Sequence, residues 1–156
     1  MDFDRGDLIR RALAQQKEAY APYSGYYVAA AVLTGSGTVY TGVNVENASY
    51  PAGICAERNA IFHAAACGER SLKAIAIVAG KDGVNRTFPS PCGICRQVMR
   101  EFCDPKEMIV VLAKSPEEYK EMTLEELLPL GFGPEDLVEG TSGDPSTPLR
   151  FAQDDK

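Results

Sequence analysis

The chain has 156 residues, 45% of them hydrophobic, which suits one globular domain with a sizeable core and is too short for two ordinary domains. No segment reaches the ~18 consecutive apolar residues of a membrane helix, and no apolar stretch follows the charged N-terminus, so we expect a soluble, cytoplasmic protein with no membrane partner. The net charge of -6 leaves no basic patch for a phosphate backbone and argues against nucleic acid as a partner.

Hydrophobic periodicity predicts helices and strands in alternation. Apolar residues at helical spacing predict an amphipathic helix over residues 4–19, and two β-favouring runs around a Gly-Ser-Gly turn predict a hairpin of residues 26–33 and 38–45. The remaining predicted elements are helix 55–66, strand 74–79, helix 92–102, strand 108–113, a weaker strand 118–122 and a short helix 124–128 with a Thr123–Glu126 capping box.

Strands that alternate with helices predict an α/β sandwich in which helices cover both faces of the sheet. Residues 140–156 are rich in Gly, Ser, Pro and Asp, and their composition predicts a flexible C-terminal tail. We therefore expect a single domain over residues 1–139, followed by this tail.

Three cysteines and a glutamate lie at the starts of two predicted helices. Cys55 precedes Glu57 by two residues in one first turn, and Cys92 and Cys95 share a face of the other helix. Three thiolates can hold one tetrahedral zinc and leave its fourth position for water, while Glu57 lies near the metal without binding it. This pattern is typical of the catalytic zinc in nucleobase deaminases, and the positive helix N-termini favour thiolates.

Arg58 follows Glu57 and is the nearest candidate for a compensating positive charge. Three thiolates over-neutralise zinc and weaken its Lewis acidity, which a neighbouring guanidinium would restore. The alternative interpretation is an ordinary solvated arginine, and the spacing alone does not decide between the two.

A purely structural zinc site is the main alternative for the cysteines, and it needs a fourth ligand. His63 lies eight residues beyond Cys55, about 12 Å along the same helix, and cannot easily reach the metal. We interpret His63 as a packed or interface residue, and Cys67 and Cys103 as small buried side chains kept reduced. With five cysteines in all, a disulfide framework is a poor explanation.

The chain resembles the cytidine deaminase family, in its small homotetrameric form, from about residue 5 to residue 137. The motifs that carry this resemblance are residues 21–24 (APYS), 44–48 (NVENA), 55–58 (CAER), 90–98 (SPCGICRQV) and 125–129 (EELLP). The resemblance implies a three-layer sandwich whose five-stranded mixed sheet is covered by helices. It also implies one Zn²⁺ per subunit and hydrolytic deamination of cytidine and deoxycytidine to uridine and deoxyuridine, with release of ammonia, in pyrimidine salvage.

The resemblance further implies a role for each site residue. It implies that Cys55, Cys92 and Cys95 are the zinc ligands and that Glu57 is the proton shuttle. On the substrate side, it implies that the Ala56 backbone contacts the cytosine, that Tyr26 lies near the base, and that Asn44 and Glu46 bind the ribose 3′-hydroxyl. It also implies that Phe132 enters a neighbouring subunit's site. A carboxylate at the 3′-hydroxyl would repel a 3′-phosphate, so Glu46 in this role favours free nucleosides over polynucleotides.

Three positions depart from the family pattern without removing a ligand or the glutamate. Ala29, Asn59 and Ile94 replace the usual Gly, Thr and Ala, which leaves the pocket size and the tolerance for modified cytosines open. Other interpretations are a deaminase of another cytosine compound such as blasticidin S, which would lack the Asn-Val-Glu-Asn element, and a non-catalytic zinc module, which would not need Glu57. RNA or DNA editing is disfavoured by the charge.

Overall fold

The computed structural model describes residues 2–138, and these residues form a five-stranded mixed sheet with helices on both faces. The strands are β1 (Tyr26–Thr34), β2 (Val39–Val43), β3 (Leu72–Lys81), β4 (Ile109–Ser115) and β5 (Glu118–Thr123), in the order β2-β1-β3-β4-β5. β3 and β4 run parallel, and the other neighbouring strands are antiparallel. The expected five-stranded mixed sheet is confirmed, while the predicted tail 140–156 lies outside the described residues.

Four α-helices within the described residues complete the three layers: α1 (Arg5–Gln15), α2 (Ala56–Ala66), α3 (Gly93–Glu101) and α4 (Leu124–Leu127). On one face, α1 packs through Leu8 and Ile9 against a cluster that includes Ala29 of β1. On the other face, α2, α3 and α4 cover a second cluster that includes Ala30 of β1. Burial of both faces explains why the central strands are continuously apolar and do not alternate. Within residues 2–138, none of the helices has the length and apolar character needed to cross a bilayer.

The predicted elements are all present, with shifts at their ends. α1 ends at Gln15 and a 3₁₀ turn follows it, whereas the prediction continued the helix to residue 19. The Thr123–Glu126 capping box is confirmed. The placement of Cys55 and Cys92 in first turns is wrong by one residue: both are N-caps with extended backbones, and each helix begins at the next residue.

Helix α2 packs closely against the sheet because both surfaces carry small residues. Ala56, Ala60 and Ala64, four residues apart, form a fully buried face of α2. Facing them is Gly42 of β2, where an added Cβ would lie 2.3 Å from the backbone nitrogen of Ala60 and 2.8 Å from the carbonyl oxygen of Ala56. The backbones of β2 and α2 are therefore in direct contact, and this contact fixes the start of α2 against the end of β2.

We expect Gly42→Ala to lower the free energy of unfolding by about 1–3 kcal/mol, because the new methyl group would push against backbone that cannot move aside. Gly35→Ala is the matched control, since its Cβ would meet the side chain of Ser71 at 3.1 Å and should cost less than about 0.5 kcal/mol. Urea denaturation of both variants measures the difference. Equal losses would contradict the close β2–α2 contact.

Candidate active site

The three predicted ligands meet where α2 and α3 begin. The Sγ atoms of Cys55, Cys92 and Cys95 all lie within 4.8 Å of one another, and those of Cys55 and Cys92 are 3.9 Å apart. Zinc–sulfur bonds of about 2.3 Å in a tetrahedron place sulfurs about 3.8 Å apart, so this spacing fits a shared zinc ion. With three thiol donors and Cys92 exposed to solvent, the cluster fits a zinc whose fourth position stays open.

The position of Cys92 depends on Arg96, whose contacts are not apparent from the cysteine motif. Arg96 Nε donates to the carbonyl of Pro91 at 2.8 Å, and its Nη2 donates to Ser90 Oγ at 2.7 Å. Its Nη1 reaches the carbonyl of Leu127 at the end of α4. One guanidinium thus fixes the loop before Cys92 to α3 and α4. The Leu127 partner is 31 residues away, and no local sequence signal could have identified it.

The thiols influence each other's ionisation. The Cys95 thiol donates to Cys55 and, together with the Arg58 guanidinium, lowers the pKa of Cys55 to about 5, although burial opposes this shift. The pKa of Cys95 is raised, because its proton is held by the Cys55 thiolate and burial disfavours a second charge. The cluster therefore already favours one thiolate, and the helix N-termini at both N-caps support this charge.

Arg58 lies beside the ligands and not in bulk solvent. Its Nη2 lies 3.4 Å from Cys55 Sγ, and its Nε is buried with no hydrogen-bond partner in the described chain. A guanidinium held in this way places positive charge against the thiolates. This position fits the compensation of three negative ligands, and the solvated interpretation of Arg58 does not describe it.

Glu57 is the second residue of α2 and is only 4% exposed. Burial raises the pKa of its carboxyl group, and a hydrogen bond with the Cys95 thiol opposes part of that rise. A carboxyl group with a raised pKa can both accept and release a proton near neutral pH, as general acid–base catalysis requires. Glu57 thus lies beside the thiol cluster and is not one of the three residues that could share a metal ion.

Asn44 and Glu46 follow β2 and are largely engaged by the protein itself. Asn44 Oδ1 accepts from the backbone N–H of Val28 at 2.9 Å, and its Nδ2 donates to the carbonyl of Tyr26 at 2.8 Å. One amide N–H of Asn44 remains for a ligand. Glu46 Oε1 accepts from the backbone N–H groups of Tyr23 at 3.0 Å and Ser24 at 3.1 Å.

The charge and orientation of Glu46 are therefore fixed before any ligand binds. Hydrogen bonds from Ser24, together with the backbone N–H of Tyr23 and the nearby Lys81 ammonium, lower the pKa of the Glu46 carboxyl group. It is consequently ionised at neutral pH, and a carboxylate has acceptor sites beyond those that the backbone occupies. The geometry supports an acceptor for a ligand hydroxyl.

Of the other predicted contacts, Ala56 follows Cys55 directly, Tyr26 is bonded to Asn44, and Phe132 lies on a separate surface segment. Ala56 is buried as the first residue of α2, and Tyr26, whose carbonyl accepts from Asn44, is 39% exposed at the start of β1. Phe132 is 56% exposed, and Gln97 of α3 donates to its carbonyl at 2.9 Å. Its exposed ring is available to another molecule.

His63, Cys67 and Cys103 are not part of the thiol cluster. His63 is exposed and packs edge-on against the ring of Tyr40 at 5.1 Å, and it does not belong to the metal-binding group. The expectation of a buried Cys67 is wrong, because this residue caps the end of α2 and is exposed. Cys103 is partly buried, and burial raises the pKa of its thiol to about 12.

Comparison with known proteins agrees with this geometry. Residues 4–112 match the family model described as the cytidine and deoxycytidylate deaminase zinc-binding region. A curated cytidine deaminase from Sporosarcina psychrophila is 44% identical over 137 residues, which cover 88% of this chain and 96% of that protein. The cytidine deaminase from Halalkalibacterium halodurans is 46% identical over 134 residues, covering 86% of this chain and 98% of that protein.

Solved structures give the same result. The crystal structure of cytidine deaminase from Burkholderia pseudomallei superposes with a TM-score of 0.73 at 43% identity, covering 81% of this chain and 97% of that one. The enzyme from Mycobacterium tuberculosis gives a TM-score of 0.70 at 37% identity, with 85% and 99% covered. The fold and the thiol cluster beside a buried carboxyl group thus define a zinc-binding hydrolase of the deaminase class. Within that class, the chain belongs to the cytidine deaminase family.

The environments of Cys67 and Cys103 predict different reactivity in the zinc-loaded protein. At pH 8, a pKa of about 12 leaves about one part in ten thousand of Cys103 as the reactive thiolate, so an alkylating reagent should modify Cys67 and spare Cys103 until the protein unfolds. Peptide mass mapping assigns the modified residue, and Cys67→Ser should remove the rapid reaction. Equally rapid labelling of Cys103 in the folded protein would contradict its burial.

Proposed function

We propose that this protein hydrolyses cytidine and deoxycytidine to uridine and deoxyuridine, with one zinc ion per chain held by Cys55, Cys92 and Cys95. The observation that carries this proposal is the buried Glu57 beside three thiols that fit one metal ion. A structural zinc site needs a fourth ligand and has no use for a buried carboxyl group. A reducing cytoplasm, where free thiols persist, and a role in pyrimidine salvage are part of the proposal.

The chemistry divides between the metal and Glu57. When held by Cys55, Cys92 and Cys95, zinc would supply Lewis acidity that lowers the pKa of a water beside Glu57 toward neutrality. Glu57 accepts the proton of this water and protonates N3 of the pyrimidine, which makes C4 more electrophilic. The oxygen of this water bonds to C4, and Glu57 carries its second proton to the amino group, which leaves as ammonia as the C4–N bond breaks. One water is consumed, and its oxygen becomes the O4 atom of uridine.

The 43–46 segment, defined as Val43 to Glu46, supports a nucleoside substrate. An ionised Glu46, oriented by Tyr23 and Ser24, would accept a hydrogen bond from the 3′-hydroxyl and would repel a phosphate at that position. Cytidine and deoxycytidine share the 3′-hydroxyl and differ only at the 2′ position. Recognition through Glu46 and Asn44 therefore does not separate them, and this supports the use of both nucleosides.

A homotetramer is the further part of the proposal. Tyr23 and Tyr50 are 54% and 79% exposed and contact each other edge-on at 6.4 Å, and Phe132 is exposed on the C-terminal segment. Aromatic residues are enriched at interfaces between protein chains, and these exposed rings support the proposal on that ground. Gln97 holds the backbone of Phe132, and Arg100 forms an ion pair with Glu135, so α3 fixes this segment in place. We propose that Phe132 completes the site of a neighbouring copy.

Glu57→Gln tests the reaction. We expect kcat for cytidine, followed by loss of its absorbance, to fall by a factor of about 10³ because the amide cannot exchange the proton. Metal analysis should still find zinc at the wild-type ratio. Glu117→Gln, an exposed glutamate in the β4–β5 turn, is the control and should keep its activity. Zinc-loaded wild-type protein with no turnover of any cytosine nucleoside would overturn the proposal and favour a non-catalytic zinc module.

Complementation tests the assembly. We expect Phe132→Ala and Glu57→Gln each to have low activity alone, while tetramers assembled from both should regain activity. In these mixed assemblies, a Phe132→Ala chain keeps its own Glu57 and receives Phe132 from its neighbour. The activity of co-expressed variants, purified with two different tags, measures this effect. Activity no higher than the sum of the separate variants would contradict a shared site, and a monomeric mass in solution would contradict the tetramer.

A further inference from the structure

The 43–46 segment is bonded directly to the residue before the first zinc ligand. The backbone N–H of Val45 donates to the carbonyl of Ile54 at 3.1 Å, and the N–H of Ile54 donates back to Val45 at 3.0 Å. Ile54 precedes Cys55. Two backbone hydrogen bonds therefore connect the segment that carries the proposed ribose-binding groups with the residue that precedes the first proposed metal ligand.

On its opposite side, the same segment is bonded to the chain that precedes β1. The N–H of Tyr20 donates to the carbonyl of Asn44 at 3.0 Å, and the N–H of Glu46 donates to the carbonyl of Tyr20 at 2.8 Å. These are backbone hydrogen bonds, so they do not depend on which side chains the segment carries. They hold the 43–46 segment to Tyr20, but they do not fix where the segment lies along helix α2.

Asn59 supplies a side-chain connection between the helix and the segment. Its Nδ2 donates to the carbonyl of Val43 at 3.0 Å, across the surface where β2 and α2 are in contact. Its backbone N–H donates to the carbonyl of Cys55 at 3.0 Å. Asn59 is thus hydrogen-bonded through its backbone to Cys55, a proposed metal ligand. Through its side-chain amide it is hydrogen-bonded to Val43, the first residue of the 43–46 segment.

The surrounding packing makes this bond sensitive to geometry. Gly42, next to Val43, leaves no space between β2 and the backbone of Ala60, the residue after Asn59. The spacing of the two elements is fixed by this contact, and the Asn59 amide fixes how far the strand end can slide or tilt along the helix. A hydrogen bond gives this directional control, which apolar packing of Gly and Ala does not.

We propose that Asn59 is a positioning residue that sets the distance between the ribose-binding groups, Asn44 and Glu46, and the zinc–Glu57 site. This inference rests on the proposed function. Asn59 does not touch the substrate and acts through Val43. Without its amide, the reacting end of the site keeps its structure, while the ribose contacts lose their alignment with it.

The test compares cytidine with 3′-deoxycytidine, which lacks the hydroxyl that Asn44 and Glu46 are proposed to bind. In zinc-loaded Asn59→Ala, we expect KM for cytidine to rise about fivefold, while kcat changes less than about twofold. For 3′-deoxycytidine, KM should change less than about twofold, because the misaligned groups contribute nothing to its binding. Asn59→Asp keeps the size of the side chain but cannot donate, so the same selective change is expected.

Asn85→Ala is the matched control. It removes a reciprocal amide pair with Gln16, with donor–acceptor distances of 2.7 and 3.0 Å, away from the β2–α2 contact. It should lower the melting temperature about as much as Asn59→Ala while leaving the ratio of the two KM values unchanged. This separates a general loss of stability from a loss of positioning.

Equal increases in KM for both substrates in the Asn59 variants, or no change, would overturn the positioning role and leave the proposed reaction intact. A wild-type protein that deaminates cytidine and 3′-deoxycytidine equally well would overturn the ribose assignment and, with it, the role of Asn59. No deamination by the zinc-loaded wild type would instead overturn the proposed function itself.

Discussion

The site depends on gathering three thiols and a carboxyl group at one point. Each of these groups can become negative, and their mutual repulsion rises steeply in a partly buried environment. The fold offsets this cost with three sources of positive potential: the N-terminus of α2, the N-terminus of α3, and the Arg58 guanidinium 3.4 Å from Cys55. A divalent cation would supply the rest, and this explains why such a cluster suits a metal better than free thiols.

The sheet topology brings these charges together. α3 lies in the connection between β3 and β4, the parallel pair, and a parallel connection requires such a crossover. α2 precedes β3 and packs on the same face, through alanines that fit against Gly42. The two helices begin side by side on this face, as the proximity of their N-caps, Cys55 and Cys92, shows. The small residues of α2 and β2 do more than fill the core, because they determine how closely Cys55 approaches the strand that ends at Val43.

Much of this arrangement could be predicted from local sequence, and the exceptions have a common cause. The Cys55–Glu57 and Cys92–Cys95 spacings, the alternation of strands with helices and the Thr123–Glu126 cap depend on residues a few positions apart. Cys55 and Cys92 are 37 residues apart, and the fold brings them together. The partners of Arg96 and Gln97 are 31 and 35 residues away, so no periodicity reveals them. The exposure of Cys67 was missed because an apolar composition does not show which side of a helix end faces solvent. Asn59 was visible only as a departure from a pattern, since its role depends on a strand that precedes it by 16 residues.

The part of the site that is proposed to bind ribose shows why those distant contacts matter. Asn44 and Glu46 are held by the N–H and carbonyl groups of β1 and its preceding loop, so little side-chain entropy remains to be lost when a ligand binds. Preorganisation also imposes a requirement. Groups that are fixed before the ligand binds help only if they lie at the correct distance from the reacting carbon. If the groups proposed to bind ribose and those proposed to bind the metal are both rigid, their positions relative to each other must also be fixed. On the proposed function, the contact between β2 and α2 fixes these relative positions. The reaction therefore depends on backbone packing that no ligand touches.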